Sequence, residues 1–194
     1  MIKDGVLITG CSSGLGAFLA DKFEQMGHKV MRHNGKKHFD LRRVEDIEKL
    51  AKHAIDEDIK VLVNNAALGC PSIRFGDYTV TQINEMIDVN LRAPIILSHL
   101  LSGHVTNIIN INSMVGLEVK RPRTLYSATK WGLRGFSNSL KAESENINIL
   151  DVYPTNIRTT PDRKNAMCPA GVVDSIYQSY TRKEQKLVLD GRLK

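Results

Sequence analysis

An α/β fold, a doubly wound sheet of about seven mostly parallel strands flanked by helices, is what this 194-residue sequence predicts. Short apolar runs of strand length alternate with stretches of helical periodicity along the whole chain, the order that lays strands side by side under helices. The first apolar run leads directly into Gly10, Gly14 and Gly16 and the start of a helical stretch. No repeat, low-complexity tract or linker interrupts the alternation, and at roughly 150 residues per domain the chain reads as one domain, residues 1–194.

Val6–Thr9 is a short apolar run and reads as a buried strand. Ala17 to Met26 carries Phe18, Leu19, Phe23 and Met26 at helical spacing, and Gly27 ends it. His28–Arg32 and, more weakly, His38–Leu41 read as the second and third strands. Val44 to Ile55 is helical through Val44, Ile47, Leu50, Ala51 and Ala54, and Lys60–Val63 is the next strand. Thr81 to Leu101 reads as one helix bent at Pro94. Val105–Ile111 is rich in β-branched residues and reads as a strand. A helix over Tyr126 to Glu145, a strand over Ile147–Val152, a helix over Pro169 to Tyr180 and a strand over Lys186–Leu189 complete the chain.

Composition excludes several classes. With 42% hydrophobic and 25% charged residues the chain buries enough apolar surface to fold. Its 14 glycines and 6 prolines show no collagen period. The net charge of +6 invites a nucleic-acid partner, but only 6% of residues are aromatic and no zinc-finger or helix-turn-helix spacing occurs. A basic lining for a phosphate-bearing small molecule is the more economical reading. Cys11, Cys70 and Cys168 form neither a CxxC pair nor a metal spacing, and they read as small apolar filler in a reducing compartment. The N-terminus has no signal-peptide core, and no apolar run approaches the ~18 residues of a membrane span. A soluble, cytoplasmic protein with no membrane or nucleic-acid partner and no metal is expected.

Two constellations carry chemistry. Thr9-Gly10-Cys11-Ser12-Ser13-Gly14-Leu15-Gly16 follows a strand and opens a helix. Glycines there let the backbone turn tightly and approach a pyrophosphate, and the helix N-terminus offers free N–H groups to its oxygens. Ser12 and Ser13 add hydroxyl donors. An ordinary strand–helix turn has the same composition. Tyr126 and Lys130 stand at i and i+4, so on a helix they share a face. An ammonium beside a phenol favours the phenolate and readies the tyrosine for proton transfer near neutral pH; a helix start with a surface lysine is the other reading of a bare YxxxK. Ser113 ends the strand Val105–Ile111, at the edge where ligands bind in doubly wound folds. Asn90 lies inside the preceding helix, where a buried amide needs a partner.

Taken together in this order, these residues resemble the short-chain dehydrogenase/reductase family over essentially the whole chain. The glycine segment is similar to the family's cofactor motif, and Asn64-Asn65-Ala66-Ala67 to its NNAG motif, with Ala67 in place of glycine. Asn90, Ser113, Tyr126 and Lys130 match its catalytic tetrad. Pro154 to Thr159 resembles the PGxxxT segment, with Thr155 in place of glycine, and Asp190-Gly191 a DGG ending whose second glycine is Arg192. The resemblance implies a Rossmann fold and a set of roles. Tyr126 exchanges a proton with the substrate oxygen, Ser113 holds that oxygen, Lys130 binds the nicotinamide ribose and tunes Tyr126, and Asn90 holds a water linking Lys130 to solvent. Gly10, Ser12, Ser13, Gly14, Leu15, Gly16, Asn65, Ala66, Ala67, Pro154, Thr155, Ile157 and Thr159 contact the cofactor, with Asp40 and Leu41 at the adenine. The chain is shorter than typical members around 31–40 and between Thr160 and Lys186, which implies a trimmed substrate lid.

Family members that prefer NAD place an acid at the end of the second strand, and Asn34 falls near that place here. Arg32, His33, Lys36 and Lys37 surround it, and no Asp or Glu occurs between Glu24 and Asp40, so NADP(H) is favoured over NAD(H). After Ser113, Met114, Val115 and Leu117 read as an apolar wall, and Lys120, Arg121 and Arg123 either attract an acidic substrate or acyl-carrier protein or form a solvated charge run. The expected activity is hydride transfer between NADP(H) and a small ketone, aldehyde or alcohol in a homodimer or homotetramer. The alternatives are a nucleotide-sugar epimerase or dehydratase, and a non-catalytic dinucleotide sensor or scaffold.

Overall fold

The computed structural model describes residues 3–69, 73–158 and 166–192. Within them one parallel sheet has six strands in the order β2-β1-β3-β4-β5-β6. In chain order the elements are β1 (Lys3–Thr9), α1 (Gly14–Gln25), β2 (His28–His33), α2 (Val44–Asp56), β3 (Ile59–Asn64), α3 (Val80–Ile87), α4 (Ala93–Leu101), β4 (Asn107–Ile111), α5 (Thr124–Glu143), β5 (Asn148–Pro154), α6 (Pro169–Thr181) and β6 (Lys186–Leu189). Residues Val6, Leu7 and Ile8 of β1 are wholly buried, which is why the strands read as unbroken apolar runs.

Two apolar layers cover the sheet. On one face Leu15, Leu19 and Phe23 of α1 pack with Val172 and Ile176 of α6. On the other, Ile47 and Leu50 of α2 pack with Leu97 and Leu101 of α4, and Leu140 of α5 joins them. The connection leaving β1 passes through α1 on one face of the sheet and the connection leaving β3 passes through α4 on the other, so the two chains part at the carboxyl ends of these paired strands and leave a crevice there.

Two expectations are corrected. The strand count is six, because His38–Leu41 is not a strand. A 3-10 turn, Gly35–Lys37, precedes it, and the Asp40 carboxylate draws the chain back on itself by accepting the Arg42 N–H at 3.0 Å. The helix expected over Thr81 to Leu101 is three pieces. Thr79 and Gln82 form a capping box at the start of α3, a π turn occupies Asp88–Arg92, and α4 follows. Pro94 lies in the first turn of α4, and the irregularity is the π turn before it, which contains Asn90.

The sheet also carries a buried polar row. Asn64, Asn110 and Asp151 are register partners across β3, β4 and β5. Asn64 Nδ2 donates to Asn110 Oδ1 at 2.9 Å, and Asn110 Nδ2 donates to Ser137 Oγ at 2.8 Å and to Asp151 Oδ1 at 3.4 Å. Lys141 Nζ closes the row on Asp151 Oδ2 at 2.6 Å. Ser137 and Lys141 lie on the face of α5 that also holds Lys130, so the row sets the position of α5 over the sheet.

Candidate active site

The glycine turn lies over the crevice between β1 and β3. Gly10 and Gly14 have φ of 72° and 62°, the left-handed region that side chains avoid. A Cβ on Gly10 would stand 2.9 Å from the Ala66 Cα, and one on Gly16 would overlap the Gly10 carbonyl oxygen and stand 2.5 Å from Asn65 Nδ2. Asn65 braces the turn by donating to the carbonyls of Thr9 at 2.8 Å and Gly10 at 3.2 Å. Thr9 Oγ1 accepts the N–H groups of Asn65 and Ala66, each at 3.0 Å. Ser13 precedes α1 without a side-chain cap, which leaves the helix N–H groups open. Gly10, Ser12, Ser13, Gly14, Leu15 and Gly16 thus face a cavity of about 440 Å³, whose other walls include Asp40, Leu41, Asn65, Ala66 and Ala67. A backbone cradle that a methyl group would fill, ending at an uncapped helix, fits a dinucleotide pyrophosphate.

At the far end of that cavity the basic residues are arranged differently from the expectation. Arg32 does not face the cavity. Its guanidinium reaches Glu24 at 2.8 Å and Asp21 at 2.6 Å, and these carboxylates raise its pKa. Asn34 is exposed and also stands outside the walls, because β2 runs one residue further, to His33. His33 Nδ1 accepts the Gly10 N–H at 3.2 Å, so Nε2 carries the proton and donates to the Phe39 carbonyl at 2.7 Å. Burial lowers the His33 pKa, which keeps the ring neutral. The cationic wall residues are Lys36 and Arg42. Arg42 holds Asp40 at 2.9 Å and also bonds Glu85, and hydrogen bonding from Arg42 pulls the Asp40 carboxyl down to about 2. Sequence reasoning missed Arg42 and Glu85, which meet only in space.

A second cleft, of about 760 Å³, adjoins this cavity. Ser113 and Tyr126 both face it, as do Pro154, Thr155 and Ile157, and it shares Leu15 and Asn65 with the glycine-lined cavity. Thr159 lies outside the described residues. Lys130 is buried beneath Tyr126, one helical turn on, with Nζ 5.6 Å from the tyrosine ring centre. Nζ donates to the Ile111 carbonyl at 2.9 Å, and desolvation lowers the Lys130 pKa to about 8. Asn90 uses its amide to clamp Leu68. Its Oδ1 accepts the Leu68 N–H at 2.7 Å, and its Nδ2 donates to the Leu68 carbonyl at 3.1 Å and to Thr129 Oγ1 at 3.5 Å.

Asn112 is a residue that sequence reasoning did not single out. Its Oδ1 accepts the Ser113 N–H at 2.9 Å, and its Nδ2 donates to the Lys130 carbonyl. A second asparagine just past the end of β4, in Asn110-Ile111-Asn112, was the available signal. Of the basic run after Ser113, Lys120 and Arg123 face the cleft and Arg121 does not. Cys11 is buried filler that donates to the Ile8 carbonyl at 3.0 Å, Cys168 is exposed, and Cys70 lies outside the described residues. Among the described residues no helix is long and apolar enough to cross a membrane.

Comparison with known proteins gives the same direction. The sequence model described as short chain dehydrogenase matches residues 33–167. The NADPH-dependent 1-acyldihydroxyacetone phosphate reductase of Schizosaccharomyces pombe is 28% identical over 223 residues, covering 96% of this chain and 71% of the relative. Among solved structures, a short-chain dehydrogenase from Sphingobium yanoikuyae in complex with NADPH is 25% identical, with a TM-score of 0.84 over 96% of this chain and 87% of that one. A 4-hydroxyisoleucine dehydrogenase complexed with NADH is 23% identical and shares the fold, with a TM-score of 0.85 and 97% of each chain covered.

Proposed function

This chain belongs to the short-chain dehydrogenase family, NAD(P)-dependent oxidoreductases acting on CH–OH groups, and we propose that it interconverts a ketone or aldehyde with its alcohol using NADP(H) in preference to NAD(H). One observation carries the reading: Ser113 and Tyr126 face a single cleft that meets the glycine-lined cavity at Leu15 and Asn65. A substrate oxygen in that cleft is thereby next to the ground a dinucleotide would occupy.

When bound, the nicotinamide supplies or accepts the hydride. The chain's own residues handle the oxygen and the proton. In reduction the Tyr126 phenol donates its proton to the substrate oxygen, and in oxidation it takes the proton back. The Ser113 hydroxyl donates a hydrogen bond to the same oxygen and stabilises charge that grows there. Lys130, with its charge beside the phenol and one N–H engaged by Ile111, favours the phenolate and keeps two donors for a ribose hydroxyl and for solvent. Asn90 fixes Leu68 and thus the end of the 64–67 segment. A water linking Lys130 outward would use the second lone pair of its Oδ1. Gly10 to Gly16 and the start of α1 would hold the pyrophosphate, Asp40 and Leu41 the adenine, and Pro154, Thr155 and Ile157 the nicotinamide side.

The preference for NADP(H) has its support in charge. His33, not an acid, ends β2. Both carboxylates in the cavity wall, Asp40 and Glu85, are engaged by Arg42, and Lys36, which makes no ion pair among the described residues, is the wall cation open to a 2′-phosphate. The NADPH named for the fission-yeast relative and the Sphingobium structure points the same way. The same reading includes a homo-oligomer packed through the helical segments around Asn90 and Tyr126.

Titration with NADPH and NADH, read through the fluorescence of Trp131, tests the cofactor. NADPH should bind at least about 10-fold tighter, a difference of about 1.4 kcal/mol, and Lys36→Glu should shrink that ratio. Tyr126→Phe should abolish NADPH-driven carbonyl reduction and keep cofactor binding. Full reductase activity in that variant would remove Tyr126 as the proton donor.

A further inference from the structure

We propose that the substrate carries an anionic group, a carboxylate or a phosphate ester, as well as its carbonyl, and that Lys120 and Arg123 hold that group. This deepens, and rests on, the oxidoreductase reading of the same cleft.

The charges in the cleft wall are unbalanced. Its ionised side chains among the described residues are Glu118, Lys120, Arg123 and Arg192. Arg192 and Glu118 offset each other, with Nη1 and Oε1 at 2.7 Å, and Arg192 is further engaged by Asp190 at 2.7 Å. Lys120 and Arg123 make no ion pair among the described residues. A cleft with two uncompensated cations over partly apolar walls draws anions and concentrates them. Arg121, between these two cations in sequence, stands outside the cleft, so the wall takes two selected members of the basic run.

The placement suits a two-point substrate. Arg123 immediately precedes α5, three residues before Tyr126, and Lys120 lies on the loop that leaves Ser113. The two cations therefore stand on the same stretch of chain as the two groups that receive the substrate oxygen. Arg192 keeps that stretch in place. Its clasp on Glu118 ties the loop, two residues before Lys120, to the segment after β6. That segment is anchored in turn where Gly191 N–H donates to Thr155 Oγ1 at 2.9 Å. With two carboxylates on its guanidinium, Arg192 acts as a tether, and the anion is left to Lys120 and Arg123.

The test uses matched ketones differing in charge: 4-oxopentanoate against its methyl ester, and dihydroxyacetone phosphate against dihydroxyacetone. Binding of each to the protein with NADP⁺, where no turnover occurs, is measured by calorimetry. NADPH oxidation with each is measured separately. The anionic member of at least one pair should bind 10-fold or more tighter. That ratio should fall towards one in Lys120→Gln/Arg123→Gln and persist in Arg121→Gln. Preference in the phosphate pair alone identifies a phosphate ester, and in the oxo-acid pair alone a carboxylate. Equal binding within both pairs, or a ratio that survives the double variant, overturns the proposal. If NADPH is oxidised equally by charged and neutral ketones, the anion site fails and the reductase reading stands. If the anions bind selectively and none is reduced, the anion site stands and the reductase reading is what fails.

Discussion

The side-chain amide of Asn112 joins the end of β4 to α5: Nδ2 donates to the backbone carbonyl of Lys130 at 3.2 Å while Oδ1 accepts the N–H of Ser113 at 2.9 Å. Ser113 follows a strand and Lys130 sits on a helix, so this buried amide sets the distance between the residue proposed to hold the oxygen and the one proposed to tune the proton donor. Asn112→Ala should reduce kcat by 10-fold or more with a smaller effect on NADPH affinity, and lower stability by about 1–3 kcal/mol through the unpaired carbonyl and N–H. Gly116→Ala should act on the same joint, because its Cβ would stand 2.6 Å from Asn112 Oδ1 and 3.1 Å from the Lys130 carbonyl. Steady-state kinetics with the best ketone of a carbonyl panel, beside denaturant unfolding, decides both.

Gly16→Ala tests the cradle. The added carbon would collide with the Gly10 carbonyl and with the Asn65 amide that braces it, and neither is the loose end of a flexible chain. NADPH binding should weaken at least 10-fold, whereas Gly27→Ala, at a site with open space around it, should affect stability through its positive φ and leave cofactor affinity alone. Parallel titrations of the two variants separate a lost cradle from general destabilisation.

The polar row makes a prediction about stability. Asp151 is 1% exposed and its charge is met by Lys141. Lys141→Met strands a buried carboxylate and should destabilise by up to about 3 kcal/mol. Adding Asp151→Asn, which removes the charge and keeps a side chain able to bond Asn110, should restore much of that. A double variant no more stable than Lys141→Met would mean that the ion pair is not what holds the row together.

Lys130 sets a pH dependence. Its pKa falls from 10.5 to about 8 on folding because the ammonium is desolvated. Between pH 8 and 10.5 the unfolded chain binds the proton that the folded chain has released, so this group makes stability rise with pH across that window. Below pH 8 both states are protonated and the buried ammonium is a full burden. Lys130→Met should therefore remove the rise, match or exceed the parent in stability at pH 7, and lose carbonyl reduction. Urea unfolding from pH 7 to 10 checks the first two points.

Local rules made most of this molecule readable. A strand buried on both faces must be apolar along its length, so Val6 to Ile8 and Ile108 to Ile109 announce themselves. Helical geometry brings i and i+4 together, so Tyr126 and Lys130 share a face wherever that helix docks. The weak strand at His38–Leu41 failed because its outcome depended on Asp40 capping its own turn. The basic stretch 32–37 was legible as charge but not as contact. Arg32 turned to the acids Asp21 and Glu24 of α1, whereas Lys36 reached the cavity.

What the sequence by itself determined is the alternation of elements, the glycine turn that opens α1, and the shared helical face of Tyr126 and Lys130. All of these follow from interactions within a few residues along the chain. Only the tertiary structure decided that Asn64, Asn110 and Asp151 form one row, that Asn112 joins Ser113 to Lys130, and that Arg192 tethers the loop beside Lys120. Each of those contacts depends on strand order, register and helix docking between segments far apart in sequence. Such pairings are selected by the burial of the whole core, and no local period records them.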